Sequence, residues 1–169
     1  MEFVRIGSAC LIGLVLAVSA VSKLRDVDGF ARSVAALVPG IRPGRARRLA
    51  IATIALEALV PPLLIAPPTT SYGFGLAAVL LAAFTAVIAA SVRRGRRTAC
   101  RCFGPSSVPL GPRHLVRNGA LLACAAAGGL APGGLPHAGG AAVAAAAGLV
   151  GALLIVSFDD IVDLFARNP

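Results

Sequence analysis

The chain has 169 residues, 57% hydrophobic and 14% charged, with a formal net charge of +9. A soluble domain is nearer half apolar and a quarter charged, so composition argues against a soluble globular fold. Fourteen of the sixteen Lys and Arg fall in residues 23–48 and 93–117, between apolar runs and without an aromatic-interleaved stripe, which argues against a nucleic-acid partner.

About 20 apolar residues of helix cross a bilayer core, and five runs approach that length. The first covers residues 6–22. Val18-Ser19-Ala20 has the small residues of a cleavage site. Arg5 is a thin positive region offset by Glu2, and four more runs follow, so an uncleaved first span is expected. Lys23 and Arg25 close this span as headgroup anchors. Val27, Phe30, Val34 and Leu37 then recur at helical spacing, with Asp28 as a cap and Pro39-Gly40 as the stop. They predict a short amphipathic helix, lying in the interface or packed on the bundle mouth.

The second run covers residues 49–66 and carries Glu57 mid-span. Pro61-Pro62 should kink it or end it early, because proline has no backbone donor. Pro67-Pro68 makes the turn into the third run, residues 72–92. The basic stretch "RRGRRTACRCFGPSS" follows. The fourth run, residues 115–130, is the shortest and has Arg117 and Asn118 near its start. In the fifth, residues 138–158, Gly140, Ala144, Gly148 and Ala152 lie four apart, a spacing that lets helix backbones approach closely. The whole chain, residues 1–169, reads as one all-α integral membrane domain, with four to five membrane-spanning helices and a short interfacial helix.

Loop charge sets orientation. The connection after the first run holds seven basic residues, that after the third holds seven if Arg113 and Arg117 are counted, and those after the second and fourth hold none. Both basic connections, and with them Cys100 and Cys102, are therefore expected in the cytoplasm. The N-terminus is then outside and the C-terminus inside.

Four features bear on chemistry. Cys100 and Cys102 stand one residue apart beside Arg96, Arg97 and Arg101, and nearby cations favour the reactive thiolate. A disulfide across so tight a ring constrains almost no chain. Strained, exposed disulfides are the exchangeable kind, so the pair points to redox work. A zinc site needs four ligands, and His114 leaves the count short, so no metal or other cofactor is expected. Cys10 and Cys124 fall at comparable depths and form a candidate second pair, against the plainer reading of two small apolar groups. Glu57 is an intramembrane acid, a proton site or one half of a hydrogen bond, with Arg117 as a candidate partner. His114 and His137 point to no chemistry.

In order, "SKLRDVDGF", "LEALVPPLL", "CRCFG" and "LVRN" resemble the MauE branch of the DoxX-like membrane proteins. The resemblance runs from about Ile6 to Asn118, and the fifth run is compatible by number alone. It implies an up-down helical bundle in a bacterial cytoplasmic membrane. It also implies a link to methylamine utilisation, through maturation of a disulfide-rich dehydrogenase subunit. The redox role falls on Cys100 and Cys102, with Glu57 and Arg117 as support. The partners expected are the lipid bilayer and a thiol-containing client. Two rival readings remain. One is a non-catalytic subunit that holds a partner, through the Gly140, Ala144 and Gly148 face. The other is a small permease working through Glu57.

Overall fold

The computed structural model describes residues 1–94, 112–134 and 137–158. They form six α-helices: α1 (Glu2–Arg25), α2 (Val27–Leu37), α3 (Pro43–Ile65), α4 (Thr70–Arg93), α5 (Pro112–Leu130) and α6 (Ala138–Val156). Four have the length and apolarity to cross a membrane: α1, α3, α4 with the turn before it, and α6. α5 is not among them, because its first turns read Arg-His-Leu-Val-Arg-Asn. It nonetheless packs between α4 and α1.

α1, α3, α4 and α5 close a ring of successive antiparallel neighbours, with Phe74, Ile12, Leu121, Val15 and Val60 at its centre. Lipid tails are as apolar as these side chains, so such a core holds by close packing more than by burial from water. The C-terminal ends of α1 and α4 and the N-terminal ends of α3 and α5 lie at one end of the bundle, here the basic end. α6 lies outside the ring, against α1.

Small residues make the α1–α6 contact. A Cβ on Gly148 would lie 2.4 Å from the Gly7 carbonyl oxygen and 2.9 Å from Cys10 Cβ. A Cβ on Gly140 would lie 2.2 Å from the Phe3 ring, so the two helices run parallel in contact. The small-residue face of α6 is therefore filled from within the chain. The close packing expected of these small residues is made with α1 of the same chain, which leaves the rival partner-holding reading less of that face.

α2 is the amphipathic helix, and it packs on the bundle. Phe30 and Ala31 bury against Ala50 and Ile54 of α3. Its cap is Asp26, not Asp28: Gly29 N–H donates to Asp26 Oδ1 at 2.8 Å. Asp28 instead makes an exposed pair with Arg47 at 3.4 Å.

α3 starts at Pro43, where the missing donor costs nothing. It continues through Pro61-Pro62 to Ile65, so the prolines do not end it where the sequence suggested. Beyond it, Thr69 and Thr70 hydroxyls donate to the carbonyls of Leu63, Leu64 and Ala66, which α3 leaves open. At this far end Arg5 donates to the Ala131 carbonyl at 3.0 Å and to Ser71 Oγ at 3.1 Å, tying α1 to α4 and α5.

Candidate functional site: a buried polar cluster at the basic end

Lys23 does not reach for headgroups. The last turns of α1 aim it into the bundle, where its side chain is 1% exposed. Its Nζ donates to Glu57 Oε1 of α3 and, one helical turn back, to Ser19 Oγ at 2.6 Å. The Phe30 ring of α2 lies 5.2 Å from Nζ and the Phe84 ring of α4 lies 5.1 Å away. Four helices thus converge on one ammonium group. Two rings present their electron-rich faces to it, and a carboxylate opposes it.

Glu57 is fully buried, with its Oε2 accepting no hydrogen bond among the described residues. Its ionic partner is Lys23, 34 residues upstream, and not Arg117 as the sequence suggested. A lone intramembrane acid would suit a proton-coupled permease; an acid held by a lysine ammonium suits it less. Burying two charges is costly even when they meet, and an oxygen without a hydrogen bond leaves that cost incompletely offset.

α5 adds polar groups at the same end. His114, Arg117 and Asn118 are all buried, in line with Leu121, Ala125 and Gly128 further along the helix. The inward stripe of α5 is therefore polar near the basic end and apolar beyond it. His114 belongs to this stripe. The 114, 117/118, 121, 125 spacing was readable in the sequence and is the signal that finds it. Ser91 is also buried, near the end of α4.

Cys100 and Cys102 lie outside the described residues, in the segment between α4 and α5. Cys10 and Cys124 are both free thiols and both half-buried. Cys10 lies against Gly148 on one side and borders a cleft with Pro61 and Leu64 on the other. Cys124 packs against the central core.

A helical multi-pass membrane bundle, with an ion pair and further polar side chains buried at one end, is the class that this fold and site define. Within that class the chain belongs to the MauE family: the family model described as Methylamine utilisation protein MauE matches residues 1–131. The match takes in α1 to α5 and stops short of α6. No curated protein and no solved structure matches the chain.

Proposed function

We propose that this chain is a membrane thiol–disulfide exchange protein that assists maturation of a partner, with Cys100 and Cys102 as its redox pair. Membership of the MauE family supports a client in methylamine utilisation, and a disulfide-rich dehydrogenase subunit is the client we propose. The observation that carries the reading is the sequence itself: two of four cysteines sit one residue apart among arginines. They fall between two helices whose adjoining turns bury Ser91, His114 and Arg117.

The exchange balances as follows. One cysteine thiolate attacks a mispaired client disulfide, forming a mixed disulfide and releasing one client thiol for correct pairing. The second cysteine displaces the other client sulfur. Cys100 and Cys102 end as a disulfide, and two electrons and two protons have passed to the client. A cytosolic dithiol donor returns the pair to the reduced state by the same chemistry. Basic connections in the cytoplasm put the pair beside such a donor, and for a client on the opposite side the reducing equivalents must also cross the bilayer. Glu57 and Arg117 support the site from inside the bundle and take no part in the sulfur chemistry. Cys10 and Cys124 are not needed for the exchange.

The test is Cys100→Ser and Cys102→Ser at the native locus, read as accumulation of the disulfide-bearing client. Loss of mature client in both variants is expected. Full accumulation in both removes the redox reading and leaves a non-catalytic subunit.

A further inference from the structure

A cleft of about 200 Å³ opens between α2, α3 and α4 near the basic end. Its walls are Phe30, Val34 and Leu37 of α2, Leu49 of α3, and Phe84 and Val87 of α4. It is smaller than the roughly 300–1,000 Å³ of a site that engulfs a drug-sized ligand, so it suits a narrow alkyl chain better than a ring system. Leu49 and Val87 are 49% and 39% exposed, so the cleft opens sideways, where a membrane protein meets lipid.

Its rim is cationic. The α3 wall runs through Thr53 and Leu49, and one turn further toward the basic end is Arg45. The α4 wall runs through Ala83 and Val87, and two turns further toward the same end is Arg94. Both arginines are exposed, and neither forms an ion pair among the described residues. Among the described residues, Asp26 caps α2 and Asp28 pairs with Arg47. An apolar slot whose α3 and α4 walls continue into arginines is complementary to an amphiphile with a negative head.

We propose that this cleft binds one anionic phospholipid, its acyl chain between Phe30 and Phe84 and its phosphate at Arg45 and Arg94. The two rings that would flank the chain also cover Lys23, so the bound lipid lies against the wall that shields the Lys23–Glu57 pair. Lipid binding is independent of the redox reading and survives its failure.

The full chain is purified in detergent, exchanged into phosphatidylcholine nanodiscs with increasing phosphatidylglycerol, and examined by native mass spectrometry after controlled delipidation. One retained phosphatidylglycerol per chain is expected. Ala83→Trp fills the slot and should remove it. Arg45→Glu with Arg94→Glu should cut the preference for phosphatidylglycerol over phosphatidylcholine by about tenfold or more. Val143→Trp adds the same bulk on the exposed face of α6 and should change nothing. Circular dichroism confirms that each variant is helical. The proposal is overturned if the parent retains no lipid, if folded Ala83→Trp retains as much as the parent, or if the charge reversals leave the preference unchanged.

Discussion

Breaking the Lys23–Glu57 pair from either side should destabilise the bundle, and unequally. Removing one member of a buried pair strands the other charge, at a cost of about 3–5 kcal/mol. Lys23→Met should fall in that range, because Glu57 then loses the ammonium that is its only ionic partner among the described residues. Glu57→Leu strands a better-supported charge. Lys23 keeps the Ser19 hydroxyl at 2.6 Å and the two rings at 5.1 and 5.2 Å. Each ring is worth about 0.5–2 kcal/mol to a desolvated cation, so Glu57→Leu should cost less than Lys23→Met, by about 1–2 kcal/mol. The double variant removes both charges and the oxygen that lacks a hydrogen bond, so it should regain most of the parent's stability or exceed it. The assay is equilibrium unfolding of the full chain in mixed detergent micelles, followed by circular dichroism, as a double-mutant cycle. A coupling energy below about 0.5 kcal/mol, or single variants as stable as the parent, would refute the reasoning. A double variant that is stable but inactive would show that the pair is kept for function.

The same unfolding assay checks four packing and capping predictions. Gly148→Ala drives a Cβ to 2.4 Å from the Gly7 carbonyl and should cost about 1–3 kcal/mol, through separation of α6 from α1. Gly75→Ala meets nothing within 4 Å and should gain about 0.5–1 kcal/mol in α4. Asp26→Ala removes the α2 cap and should cost about 1 kcal/mol. Asp28→Ala breaks only a pair whose side chains are 61% and 73% exposed, and should fall within about 0.5 kcal/mol of the parent.

The spans were legible because a bilayer imposes one length and one composition on them. All five apolar runs are helices, and the amphipathic spacing of Val27, Phe30 and Val34 correctly marked α2. The small residues of α6 correctly marked a close helix contact, but the pattern cannot say whether the facing helix belongs to the same chain. Periodicity was less informative for polar side chains. Lys23 at a helix end fits snorkelling to headgroups as well as it fits a turn inward, and only tertiary packing separates the two. The same holds for Asp26 and Asp28, two residues apart and both able to cap. The prolines of α3 do not end it early, because neighbouring helices and hydroxyls can support a proline-containing helix in a membrane. Glu57 was visible as costly, yet its partner, 34 residues away, was not.

The redox state of Cys100 and Cys102 tests the central claim most directly. The purified full chain is equilibrated across a series of dithiol/disulfide buffers, quenched by alkylation, and each cysteine is scored by mass. The account predicts that Cys100 and Cys102 are protected together in one two-electron transition. Cys100→Ser or Cys102→Ser should abolish that transition, and Cys10→Ser with Cys124→Ser should leave it in place. Independent alkylation of Cys100 and Cys102 at every potential would contradict the account.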